Sequence, residues 1–228
     1  YWRDWSSDVC SSDLPLWRLA IRLDEKTRGF AKARTIAEMA RLKLKDAPEI
    51  WLESVRLERR AGNAKLAENI MARALQQFPT AGILWAEEVL TAERAAQKAK
   101  SVDALKRCDN DPHVITAVAR LFQRDRKYDK ARKWYSRAVA LDADLGDAWV
   151  YYYHFELQHG AQAQQDAVLQ ACIAAEPRHG ELWTSFSKKT ENRRLETAAI
   201  LRMIVASLVL DAQNSHTDET TESKVNTA

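Results

Sequence analysis

The chain has 228 residues, 46% of them hydrophobic, with six Gly and five Pro, so it has ample material for a core and little for a turn-rich β fold. A formal charge of +3 neither demands nor excludes a nucleic-acid or acidic partner. Three isolated cysteines (Cys10, Cys108 and Cys172) argue against a disulfide framework, no apolar run reaches the roughly 20 residues that span a bilayer, and no secretory signal opens the chain; the expectation is a soluble intracellular protein or fragment.

Residues 1–14, YWRDWSSDVCSSDL, lack helical periodicity and resemble a translated sequencing-adapter peptide, so they are set apart from the fold with Trp2, Trp5 and Cys10. A period takes over beyond them. Trp17, Trp51 and Trp85 lie 34 residues apart, and Trp183 follows Trp149 by 34 again. The gap from 85 to 149 is 64, so one repeat is four residues short and Ile115 stands at its tryptophan position. A fixed period of this size marks stacked helical hairpins. The spacing predicts six repeats over 16–49, 50–83, 84–113, 114–147, 148–181 and 182–210, followed by a polar, disordered tail over 211–228. The fold class is all-α, a right-handed α-solenoid of antiparallel helix pairs.

Within each repeat, helix A carries an apolar stripe at spacings of three and four, as at Trp51 and Val55 or at Trp149, Tyr152, Tyr153 and Phe155. Helix B carries small residues at fixed places. Sixteen positions after the tryptophan come Ala33, Ala67, Ala131 and Ala199; twenty-three after it come Ala40, Ala74, Ala138, Cys172 and Ala206. Small side chains there let neighbouring helices approach closely. Gly29, Gly62 and Gly160 fall between helices A and B, where a left-handed residue ends a helix, and Pro48, Pro79, Pro112 and Pro177 fall between repeats. The predicted repeat core is therefore Trp17, Trp51, Trp85, Ile115, Trp149, Trp183, Ala40, Ala74, Ala138 and Cys172. If nothing packs before repeat one, Leu16, Leu19 and Leu23 stand uncovered.

The helix A pattern Trp149, Tyr153, Glu156 and the helix B pattern Ala131, Arg132, Tyr135, Arg137, Ala138 resemble the half-a-TPR class of repeat. Repeat two is similar at Trp51, Glu58, Ala67, Met71, Arg73 and Ala74 but has Val55 for the aromatic and Glu68 for the arginine. Repeats three and six are degenerate. The segments IWLESVRLERRAG, KSVDALKRCDNDPHV, ALDADLGDAWVYYYHFELQHG and AEPRHGELW further resemble the C-terminal array of the pre-mRNA-processing factor 6 family. That resemblance implies a nuclear, non-catalytic scaffold of pre-mRNA splicing, joining proteins of the U5 and U4/U6 particles in the tri-snRNP. The tail after Leu210 departs from the family's expected end.

Each candidate site has a structural alternative. The cations of repeat four (Arg120, Arg124, Arg126, Lys127, Lys130, Arg132, Lys133 and Arg137) could follow phosphates or an acidic protein, with Arg124, Lys127, Lys130 and Lys133 the proposed partner or RNA surface. A solvated helix pair with i,i+4 partners at Asp125 and Asp129 is the plainer reading, and RNA is the disfavoured one. The aromatic run at 149–155 reads as core, with Tyr151 alone off the stripe. Cys108, His113, His154, His159 and His179 lack zinc-ligand spacing, so no metal is expected. Glu58 and Glu156 recur at one place in helix A, which reads as a contact between repeats. No nucleophile, phosphate loop or acid–base pair is evident; the expectation is no enzyme and no cofactor. A scaffold of another RNA-processing machine, for 3′-end cleavage or ribosome biogenesis, is the remaining alternative.

Overall fold

The computed structural model describes residues 13–210; the expectations for residues 1–12 and for the tail at 211–228 lie outside the described residues. Helices fill most of the chain between short turns. They are α1 (Leu14–Arg28), α2 (Phe30–Lys43), α3 (Pro48–Arg60), α4 (Ala64–Gln77), α5 (Gly82–Thr91), α6 (Arg94–Arg107), α7 (Pro112–Arg124), α8 (Tyr128–Leu141), α9 (Gly146–His159), α10 (Gln162–Ala175) and α11 (Glu181–Ser187). A single 3-10 turn at Thr190–Asn192 and a helix α12 over 197–210 follow. The first helix begins at Leu14 with Asp13 before it, one residue inside the segment set apart above.

The fold is all-α, of the TPR-like helical-repeat class, and the helices pair as antiparallel hairpins in chain order. They group into two compact units divided between Asp109 and Asn110, each with three hairpins among its described residues. In the first unit α3 packs on α1, α2, α4 and α5. In the second, α9 packs on α7, α8, α10 and α11. The only β pairing among the described residues is an isolated bridge between Leu145 and His179.

Local chemistry sets the boundaries. Pro48 and Pro112 each occupy the first helical position, where a missing N–H costs nothing. Asp111 caps α7, accepting from the amides of His113 (2.9 Å) and Val114 (3.3 Å). Gly29 and Gly62 take φ of +82° and +78°. Gly160 does not: its φ is −99°, and glycine is required there because a Cβ would collide with the Glu156 carboxylate and carbonyl. The short third repeat is explained by its first hairpin turn. Helix α5 has 10 residues against 13 in α3, and two residues rather than three join it to its partner.

Small residues sit at the helix crossings. Ala33, Ala40, Ala67, Ala74, Ala131, Ala138 and Cys172 are fully buried. Trp85, Trp149 and Trp183 are buried, Ile115 is completely so, and Trp17 and Trp51 are half-buried. Repeat six departs from the predicted register. Ala199 is half-buried and Ala206 exposed, while Ile200, Leu201, Ile204 and Val205 form the inner face of α12. Its helix A stops at Ser187, so α12 does not meet a full-length partner. Leu19 and Leu23 are exposed on α1.

Two tryptophans tie the preceding loop to the core. Trp85 Nε1 donates to the Pro79 carbonyl (2.9 Å) and Trp149 Nε1 to the Ala143 carbonyl (2.8 Å), each six residues back. Replacing Trp149 by Ala is expected to cost roughly 3–5 kcal/mol through lost core volume. Trp149→Phe, which keeps most of the ring but unpairs the Ala143 carbonyl, should cost about 1–2 kcal/mol. Urea denaturation followed by circular dichroism measures both; no loss in Trp149→Phe would sink the separate role of the indole N–H.

Candidate interaction surface

Charged residues of helices A and B divide into those spent between repeats and those left outward. Consecutive A helices meet through a residue five after one tryptophan position and two after the next. Arg22 on α1 grips Glu53 on α3 through two bonds (3.1 and 2.8 Å), and Arg56 on α3 grips Glu87 on α5 (3.0 and 2.7 Å). The same position in the second unit is Arg120, whose guanidinium lies 4.3 Å from the centre of the Tyr151 ring. An arginine on a ring thus replaces an arginine on a carboxylate. Tyr151, the one aromatic of the run off the stripe, is packed beneath Arg120 against the core.

A second contact joins helix B to the next helix A at two junctions. Arg34 on α2 binds Glu58 on α3 (2.6 and 2.9 Å), and Arg132 on α8 binds Glu156 on α9 (2.6 and 3.1 Å). Both pairs are separated by 24 residues, and both carboxylates are buried, that of Glu156 at 0% exposure. Asn63 adds a bond to Glu58 (2.9 Å). Burial opposes ionisation of Glu53 and Glu58, but hydrogen bonds and nearby charges outweigh it: Arg22, Arg60 and Arg18 at Glu53, Arg34, Asn63 and Arg41 at Glu58. Both carboxyls are held below their ordinary value of 4.5. Glu58 and Glu156 are legible in the sequence as structural positions; their arginine partners are not, and Arg132 stands within the basic cluster of repeat four.

A third contact joins α9 to α11. Asp147 accepts from the amides of Glu181 (2.8 Å), Leu182 (3.3 Å) and Trp183 (2.9 Å), capping α11 from another helix. Burial pushes its carboxyl up, and the three amides partly offset this. Beside it, Asp144 Oδ1 accepts from the Arg178 amide (2.7 Å), and its Oδ2 lies 3.1 Å from His179 Nε2. Gly146 leaves room for the Trp183 indole, with which any Cβ would collide.

What remains outward in repeat four is smaller than its composition promises. Arg120 and Arg132 are engaged as above, and Arg137 bonds Asn110 and lies over Trp134. Arg124, Arg126, Lys127, Lys130 and Lys133 are exposed around the α7–α8 turn. Lys127 pairs with Asp125 (3.2 Å), and Asp129 pairs with Arg132 three residues on rather than with Lys133. Tyr128 stacks on His159 (centroids 4.1 Å apart), and Tyr135 is buried with its hydroxyl donating to Gln123 (2.8 Å). Among the described residues no His, Cys, Asp or Glu cluster is gathered as for a metal, and no helix is long and apolar enough to cross a membrane. Cys172 lies in the packing between helices, and burial pushes its thiol up to about 12.

Comparisons with known proteins agree in kind. The family described as PRP6, TPR-like domain matches residues 15–204. Human pre-mRNA-processing factor 6 is 51% identical over 115 residues, which are 50% of this chain and 12% of that protein. Pre-mRNA-splicing factor prp1 of Schizosaccharomyces pombe is 36% identical over 197 residues, 86% of this chain and 22% of that protein. The chain therefore spans a small part of the relatives it matches. A solved structure of Pseudomonas aeruginosa pilF aligns over 90% of this chain and 96% of its own, with a TM-score of 0.48 and 12% identity.

Removing Arg132 alone would leave the Glu156 carboxylate buried and unpaired, at a cost of about 3–5 kcal/mol, whereas Arg132→Leu combined with Glu156→Leu should cost much less. A double-mutant cycle in urea tests this; additive losses would refute the pairing. Acid provides a second test. Glu53 and Glu58 ionise at lower pH in the fold than in the unfolded chain, so the stability they add above 4.5 is lost as pH falls through their depressed values. Arg34→Gln is expected to lose less stability than the parent chain between about pH 6 and about pH 3. An unchanged pH slope would show that Arg34 does not set the Glu58 carboxyl.

Proposed function

The chain belongs to the family of the PRP6, TPR-like domain, and from that premise we propose that it is a non-catalytic interaction scaffold of pre-mRNA splicing, acting in the nucleus and bridging proteins of the U5 and U4/U6 particles. The observation that carries the reading is the family match over residues 15–204. The distribution of chemistry supports it. Buried carboxylates and guanidinia are spent on holding one repeat to the next, and the outward helix faces carry charge suited to protein partners. A hairpin array works by presenting such faces at fixed spacing rather than by enclosing a substrate.

Tagged 228-residue chain should retain U5 and U4/U6 proteins from nuclear extract after RNase treatment, read by mass spectrometry. Loss of every partner on RNase treatment would transfer the function to RNA binding. Recovery of 3′-end cleavage or ribosome-assembly proteins in their place would put the chain in another machine.

A further inference from the structure

We propose that the α7–α8 turn of repeat four docks an acidic segment of a partner protein, a run of Asp or Glu side chains held in extended conformation. This rests on the scaffold reading and adds the surface and the partner's chemistry. The turn is built from residues that its own folding disfavours. Arg126 takes a φ of +59°, the left-handed region, where repeat two uses Gly62 at +78°. Lys127 stands at the N-cap of α8, where repeat two has Asn63; neither side chain caps its helix, but Asn63 bonds Glu58 inside its own hairpin, whereas Lys127 is exposed. Lys130 lies in the first turn of α8, where positive charge opposes the helix dipole. Two adverse choices at one turn, at Arg126 and Lys130, mark a selected surface rather than a folding need. The repeat itself does not demand them, since α10, the equivalent helix of repeat five, carries no Lys or Arg.

Lys130 and Lys133 project from α8 on the side away from its buried Ala131, Tyr135, Ala138 and Val139. Together with Arg126 they have no ion-pair partner among the described residues, and Lys127 holds only the exposed Asp125. The cations extend over roughly 10 Å of helix axis. Alternate side chains of an extended segment lie about 7 Å apart, so two or three acidic residues cover the turn.

Nucleic acid fits less well. Base stacking needs an available ring, and Tyr128, Tyr135 and Tyr151 are covered by His159, the core and Arg120. The Asp129 side chain is 98% exposed within the patch and Asp125 is 46% exposed. A strand charged at every phosphate meets both carboxylates, whereas a peptide can set a neutral residue or a backbone N–H against them.

The test is fluorescence anisotropy with a labelled peptide of alternating Glu and Gly and a labelled hexauridylate, using the 228-residue chain. The peptide is expected to bind with an affinity that falls as salt rises. Lys130→Glu with Lys133→Glu should remove binding and leave the circular dichroism spectrum unchanged. Arg126→Gly with Lys127→Asn, the turn of repeat two, should raise the melting temperature while weakening the peptide about tenfold. Peptide binding indifferent to both variants overturns the proposal, and hexauridylate binding more tightly than the peptide would assign the turn to RNA. Extract capture separates this from the scaffold reading. If the Lys130→Glu, Lys133→Glu chain retains every splicing protein that the parent retains, the docking site fails and the scaffold stands. If the peptide results hold but the parent retains no splicing protein, the scaffold fails alone.

Discussion

The carboxylate of Glu156, at 0% exposure and gripped by Arg132 from the helix before it, sets the terms on which one repeat meets the next. A charge in that position is tolerable only when a guanidinium arrives to meet it, because an unpaired ion in a packed interior is costly by several kcal/mol. Apolar faces alone would accept neighbouring registers at modest loss. The buried pair would not, and the same pair recurs at Arg34 and Glu58 with the same 24-residue offset. The tryptophan period and the small residues bring the helices close; the glutamate decides where they stop.

That division explains what could be read from the residues and what could not. The hairpins were legible because tryptophans and alanines recur at fixed offsets and prolines fall between repeats, and each acts locally or by volume. The partner of Glu58 was not legible, because an arginine's sequence position does not say whether it faces inward. Arg132, Arg120 and Arg137 all belonged to one basic run, yet each is engaged, by Glu156, Tyr151 and Asn110 in turn. A signal did exist. Ala33-Arg34 and Ala131-Arg132 stand at one place in helix B, each 24 residues before a glutamate. Gly160 was misassigned for a related reason: its role is spatial, beside the Glu156 carboxylate, and glycine's backbone freedom is not what that site uses. Ala206 failed because repeat six lacks the full helix A against which the register is defined.

The cations that remain outward gain meaning from the ones that do not. Arginine dominates the engaged positions, where a planar fork matches a carboxylate or lies on a ring. Lysines dominate the outward face of α8, at 130 and 133. A lysine is a hydrated point charge on a flexible stem, suited to shifting among acceptors rather than fixing one geometry. The two chemistries are thus sorted by task within fourteen residues of helix.

The missing contact between repeats two and three follows from the same electrostatics. At the place of Arg34 and Arg132, repeat two has Glu68, which is exposed. At the place of Glu58 and Glu156, repeat three has Ala92, just beyond the end of a helix that has lost its last turn. A glutamate at 68 facing a glutamate at 92 would set two carboxylates against each other, and Ala92 removes that conflict. The shortened end of α5 is closed by another means: Gln97 sends its amide to the carbonyl of Ala92 (2.9 Å) and, more distantly, to that of Leu90 (3.5 Å). Gln165 does the same at the end of α9, reaching the carbonyls of Glu156 and Gly160 (both 3.2 Å). A glutamine at that helix B position therefore closes its own hairpin, and an alanine leaves the space through which the next repeat approaches.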